Sequence, residues 1–258
     1  MESHPNKFVD RKFRLLFEDA GPFMDHAETT RRANKQWIPV EGAYARASIL
    51  NSAMMLEAAA NALIAALDLP KPYFKDIDRM SVLSKFGHYL QTVQPGTRMD
   101  RDSSVAQRAK ELASRLRNQI VHPKRFTSEW TTQEERTYRA DLGETQFLHL
   151  PHSFVVLKHE HALTALKAAM SFLNHFFREL CRHPDCQVRA LLTSDREYPL
   201  PENVSTAHDP RWIEWHDRWG IDVDFLIDVR FVKEAEARFH DHLKNQLTRQ
   251  EADEDRPS

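Results

Sequence analysis

Apolar residues recur at helical spacing over most of this chain, and the alternation that marks a strand is nearly absent. From Gly42 to Leu67 no proline or further glycine intervenes, and Ile49, Ala53, Leu56, Ala60, Leu63 and Leu67 fall on one stripe. This predicts a long helix, and its many alanines leave thin ridges that let neighbouring helices approach closely. After the Pro70-Lys71-Pro72 break, a second helix is predicted from Ile77 to Val93, ending before Pro95-Gly96. A third begins near Asp102-Ser103 with Val105, Ala109, Leu112, Leu116 and Ile120 as its core stripe, and must end at His122 because Pro123 follows. A fourth, about His159 to Cys181, carries Ala162, Leu166, Ala169, Leu173, Phe176, Phe177 and Leu180 on a broad apolar face.

The remaining segments predict less regular structure. Residues 1–40 hold a short amphipathic piece around Phe8 to Phe17, a break at Gly21-Pro22 and a polar run to Trp37, which together predict an appended N-terminal arm. An insertion at 124–156 is polar and then apolar around Pro151-His152, where a small β-hairpin is predicted between Phe147 and Leu157. Beyond Pro184, a proline-containing loop leads to a helix from Trp212 to Trp219, with Asp209 as N-cap, Pro210 at the first helical position and Gly220 as C-cap. A last helix is predicted over Val223 to Leu247, followed by an acidic tail, 251–258, of disordered composition. The predicted fold is all-α: a bundle over 41–183, preceded by the arm and followed by a helical extension over 184–258.

Composition narrows the function classes. The chain has 36 Lys and Arg against 38 Asp and Glu, so nucleic-acid affinity has to be local rather than global. Between Arg101 and Arg125 seven basic residues face two acids, a net of +5. The two cysteines, Cys181 and Cys186, cannot staple a chain of this size, and no N-terminal apolar region resembles a secretory signal. A cytoplasmic setting is therefore expected, with no membrane span, since no uninterrupted apolar run approaches the ~20 residues required.

The stretch Arg115-Leu116-Arg117-Asn118-Gln119-Ile120-Val121-His122-Pro123 concentrates the candidate chemistry. Arginine is a permanent cation with a fork that matches phosphate oxygens, and histidine exchanges protons near neutral pH. On an ideal helix, at ~100° per residue, Asn118 and His122 share a face nearly opposite the core stripe, with Arg117 at its edge. Arg117 and His122 lie ~140° apart and converge only if the helix end loosens, which Pro123 encourages. Helix-terminal cations also have a purely structural use, because they interact favourably with the helix dipole and its free carbonyls.

The pattern Arg117-Asn118-x-x-x-His122, late in the third helix of an up-and-down bundle, resembles the HEPN superfamily. The helices at 42–67, 77–93, 102–122 and 159–181 match that family's arrangement, and the resemblance covers about half the chain. Glu57 and Asn61 look like polar positions that many members keep in the first helix. The resemblance implies a homodimer in which two motifs face each other, and metal-independent cleavage of RNA in the active branches, with no cofactor. It further implies that His122 moves protons, Arg117 stabilises the phosphorane, and Asn118 orients the histidine or binds a phosphate oxygen. Arg115, Lys124 and Arg125 would hold the RNA backbone. A setting in defence or toxin regulation, with an antitoxin or other protein partner, follows from the family alone. The alternative expectation is a non-catalytic dimeric module for interaction or for nucleotide or RNA binding.

Other constellations have plainer uses. Glu57 pairs with Arg115 or Arg117 as a buried carboxylate, or positions Arg117. His175, Cys181, His183 and Cys186 do not have a standard zinc spacing, and no metal is expected. Trp212, Trp215 and Trp219 share a helix face suited to packing.

Overall fold

The computed structural model describes residues 10–33, 39–122, 127, 130–134, 137–140, 142–194, 209–235 and 237–238. The described chain is mostly helical and organised around α2 (Pro39–Ala66). Ala45, Ile49, Ala53, Leu56, Ala59, Ala60 and Leu63 of α2 are buried, and the alanines among them admit α1 (Lys12–Ala33), α4 (Val82–Val93) and α7 (His159–Asn174) around it. A short α3 (Lys71–Asp78) precedes α4, so the predicted second helix is divided. The division falls at Ser81, whose hydroxyl caps α4 by accepting from the Ser84 N–H.

Among the described helices α2 alone is long and apolar enough to cross a membrane, with a mean hydropathy of 1.4 over its most apolar window. Arg46, Asn51, Glu57 and Asn61 interrupt α2, so it is not an unbroken apolar run. Half of the window is buried against the other helices, as a core helix requires.

The N-terminal segment is not an arm. α1 runs through Gly21-Pro22 without a break and buries Phe13, Phe17, Ala20, Met24 and Ala27 along α2. Proline inside a helix costs roughly 3 kcal/mol, and the burial of these side chains offsets it. Gly21 also has a packing role: a Cβ there would lie 2.3 Å from the Trp215 ring. That ring belongs to α9 (Arg211–Trp219), the helix predicted from its tryptophans. Trp212 and Trp215 are buried against Phe17, with ring centroids 5.6 Å and 5.4 Å away, and the Trp215 and Trp219 indoles donate to Asp25. The C-terminal region is thus packed into the bundle rather than appended to it.

The punctuation of α9 is close to the prediction. Asp209 accepts from the Arg211 N–H at 2.9 Å, and Gly220 adopts the left-handed conformation at φ 61°. Two expectations nearby are corrected. A helix, α8 (Asp185–Thr193), occupies part of the predicted loop after Pro184. The stretch 221–228 is a turn whose Val223, Phe225, Leu226 and Ile227 plug the core, with helical structure resuming only at 229.

The predicted hairpin is also misplaced. An antiparallel pair joins β1 (Trp130–Glu134) to β2 (Thr137–Ala140), with Trp130 opposite Ala140 and Thr132 opposite Tyr138. Its β-branched and aromatic residues suit extended structure. Between Phe147 and Leu157 the chain forms turns and a single 3₁₀ turn at Phe154–Val156. There Glu144 and Pro151 form a single antiparallel bridge, and Glu111 accepts from the backbone N–H groups of Gln146, Phe147 and Leu148 in the turn between them, at 3.0, 3.0 and 2.8 Å.

Candidate active site

The predicted third helix is built from α5 (Ser104–Lys110), a π-helical segment (Glu111–Leu116) and α6 (Arg117–Val121). Ser103 starts it, its hydroxyl accepting from the Ala106 N–H. Within the π segment the Ser114 hydroxyl bonds the Lys110 carbonyl at 2.6 Å, competing with the regular backbone bond, and the Arg117 N–H reaches back five residues to the Leu112 carbonyl. The wider turn lets Glu111, Leu112, Ala113 and Leu116 all be buried. It also inserts one residue into the helical count, so everything after it is rotated by ~100° from the ideal α-helical position.

Arg117, the first residue after the π segment, is thereby half-buried and turned onto α2. Its Nη2 lies 3.1 Å from Oε2 of Glu57, and its Nη1 donates to Oδ1 of Asn118 at 3.3 Å. Its Nε is buried without a hydrogen-bond partner, as is Oε1 of Gln119. Asn118 and His122 are exposed. His122 ends α6 with φ −123° and ψ 69°, its N–H still bonded to the Asn118 carbonyl at 2.9 Å. Among the described residues no hydrogen bond or ion pair engages its imidazole.

The other predicted site residues separate. Arg115 lies 3.8 Å from Glu111, on the side of the helix that holds the 146–148 turn. Asn61 does not join Glu57 and Arg117 but accepts from the buried Lys85 ammonium at 2.7 Å, which also lies 3.3 Å from Asp78. Lys124 and Arg125 lie outside the described residues. Sequence reasoning missed Lys85, whose position in an otherwise apolar stretch of α4 was the available signal. It missed Glu111 as well, a single acid beside the core stripe.

Two concavities adjoin the motif. Glu57 and Asn61 line a cavity of about 720 Å³ whose apolar wall includes Leu15, Met54 and Phe74. On the other side of α6, Ile120 joins Leu50, Phe154 and Val155 in a shallow apolar groove of about 590 Å³, where Arg46 bonds the Phe154 carbonyl at 3.0 Å. Val121 and Val155 are exposed beside it.

The histidine and cysteine side chains near the end of α7 go to separate partners. His175 bonds Glu179, and His183 bonds the Tyr89 hydroxyl at 3.0 Å. Burial pushes the Cys181 thiol up to about 12, while Cys186 is exposed. Among the described residues no three His, Cys, Asp or Glu side chains gather in a way that would hold a metal ion.

No family model matches the chain, and no curated protein or solved structure is significantly similar to it.

Proposed function

We propose that this protein is a metal-independent endoribonuclease of HEPN type, acting as a homodimer. The observation that carries the reading is the division of labour within one short helix. Glu57 fixes the Arg117 guanidinium from α2, while Asn118 and His122 project from the same helix into solvent, with no competing partner for the imidazole among the described residues. The elements α2, α3–α4, Ser104–Val121 and His159–Cys181 support it, since the motif falls late in the third of these four, with α1 packed along α2 as a further core helix.

In this reading a ribose 2'-oxygen attacks the adjacent phosphorus, and the His122 imidazole accepts the hydroxyl proton. The bond from phosphorus to the 5'-oxygen breaks, and that oxygen takes a proton from the His122 of the second copy. The products are a 2',3'-cyclic phosphate and a 5'-hydroxyl. Arg117 stabilises the charge that accumulates on the phosphorane oxygens. One chain supplies one exposed imidazole here, so acid and base together call for two chains meeting across the motif. The apolar groove beside Ile120 and the exposed Val121 and Val155 suit burial in such a contact. Lys124 and Arg125 follow the helix directly and are assigned to the RNA backbone. Arg115 is assigned there less directly, because Glu111 holds it. The proposed setting is cytoplasmic, in defence or toxin regulation.

A second reading, a non-catalytic dimeric module, is favoured by one observation: the Arg117 guanidinium is already paired with a carboxylate within its own chain. The two readings separate when wild type and His122→Ala are incubated with mixed RNA in excess EDTA. Cleavage by wild type only, with cyclic phosphate ends, supports the nuclease. Intact RNA in both, or equal cleavage by both, rejects it.

A further inference from the structure

A third concavity, on α4 and the loop that follows it, is lined by cationic and apolar side chains. Gln91 donates to the Thr97 carbonyl and Arg101 reaches the Ser84 hydroxyl at 3.5 Å, which folds residues 97–101 back over the helix. Beneath the loop is a groove of about 710 Å³, within the usual range for small-molecule sites. Arg98, Arg101 and His88 line it, and among the described residues no carboxylate does. The nearby acids are turned into their own loop: Asp100 accepts from the Asp102 N–H at 2.9 Å, and Asp102 accepts from Gln107. Among the described residues neither Arg98 nor Arg101 forms an ion pair. Two methionines, Met80 and Met99, supply the apolar part of the lining.

We infer that this groove binds a nucleotide unit, with its phosphate on Arg98 and Arg101 and its base against Met80 and Met99. Guanidinium forks match phosphate oxygens in pairs. Thioether side chains are polarisable and adapt to the face or edge of an aromatic ring. Ser84 and Gln91 place hydrogen-bonding groups at the edges of the same groove. Gly87 keeps the space open: a Cβ there would lie 3.4 Å from Nη2 of Arg101, so any longer side chain enters the groove itself. A free nucleotide and a unit of an RNA strand share this chemistry. The inference does not depend on the cleavage proposed above, because no residue of the groove belongs to the Arg117–His122 machinery.

The test is titration calorimetry of the full chain with ATP, inorganic tripolyphosphate, adenosine and a 5'-phosphorylated 2'-O-methyl tetranucleotide, which cannot be cleaved. ATP or the tetranucleotide should bind at least about ten-fold more tightly than tripolyphosphate or adenosine, since each of those lacks one half of the recognised unit. Arg98→Glu and Arg101→Glu should each weaken that binding about ten-fold or more. Gly87→Leu should abolish it by filling the groove while all charges remain, with an unchanged circular-dichroism melt showing that the helix is intact. Binding of ATP identifies a free nucleotide as ligand, and binding of the tetranucleotide alone identifies a strand. Absence of binding by both overturns the inference. So does undiminished binding in a folded Gly87→Leu protein, or tripolyphosphate binding as tightly as ATP.

Discussion

Arg117 of α6 and Glu57 of α2 meet at 3.1 Å, and this ion pair ties the segment after the π turn to the central helix of the bundle. Both side chains are about one-third exposed, at 33% and 28%, so solvent screens the attraction and its contribution to stability is small. Its importance is geometric. It fixes the direction of a guanidinium that otherwise has four rotatable bonds.

Glu57→Gln should therefore separate stability from activity. The melting free energy should change by no more than about 1 kcal/mol, as for other partly exposed pairs. Under the nuclease proposal, RNA cleavage should fall by about ten- to hundred-fold, the scale associated with small misplacements of a catalytic group. Steady-state rates beside a thermal melt check this, and an unchanged rate would remove Glu57 from the site.

Glu111 predicts the opposite pattern. Its buried carboxylate accepts from three consecutive backbone N–H groups, and Glu111→Ala would leave those donors without their acceptor. A loss on the order of 3 kcal/mol is expected, given about 1–3 kcal/mol for each buried orphaned group and incomplete additivity. At ~2–4 °C per kcal/mol for a chain of this size, the melting temperature should drop by roughly 6–12 °C. Hydrogen exchange at Gln146, Phe147 and Leu148 should accelerate first. Protection unchanged at these amides would refute the assignment.

Gly21→Ala places a methyl group 2.3 Å from the Trp215 ring, in a region where neither partner is free to move. Overpacking of this kind costs about 1–3 kcal/mol, against the usual gain for replacing a helical glycine by alanine. Denaturant unfolding should show a lower midpoint, and a blue-shifted or quenched tryptophan signal should report the displaced ring. A rise in stability would contradict the packing described.

Acidification should weaken the fold through His161 and His183, both of which titrate below the ordinary histidine range because burial penalises the imidazolium. The unfolded chain takes up these protons first as pH falls. Stability is therefore complete above the ordinary histidine value of ~6.5 and is lost as pH drops from there through the folded-state values. His161 also loses its role in accepting from the Lys158 N–H at the start of α7. Asp222, pushed up by burial, acts with the opposite sign, so Asp222→Asn is the clean background for the comparison. In that background His183→Gln should flatten the fall in stability between about pH 7.5 and pH 5.5. An identical slope would show that His183 is not responsible.

Periodicity made the four core elements legible, because the 3.6-residue stripe and the Ser and Pro punctuation report directly on which positions face inward. It also placed Asn118 and His122 on an exposed face. It failed where long-range packing overrides a local rule. Gly21-Pro22 reads as a stop in isolation, but the glycine seats Trp215 and the proline rides in a helix held by Phe13, Phe17 and Met24. The π segment was equally hidden, since a single widened turn leaves no mark in residue spacing. Its effect decides how the site is built: Arg117 turns to Glu57 rather than standing at the edge of a straight helix. Around Pro151 the pairing stops at the single Glu144–Pro151 bridge, and a distant side chain, that of Glu111, holds the turn at 146–148, which local spacing cannot report.

The seating of Trp212 and Trp215 on α1 also orders events during synthesis. The first helix emerges from the ribosome early, and its neighbour α2 follows at once, but the rings that cover Phe17 and Gly21 are translated almost 200 residues later. Until residues 211–229 have left the exit tunnel, the face of α1 around Phe17 and Gly21 stays open to chaperones and to other apolar surfaces. Chains stalled before that point carry the whole Arg117–His122 motif on an unfinished scaffold.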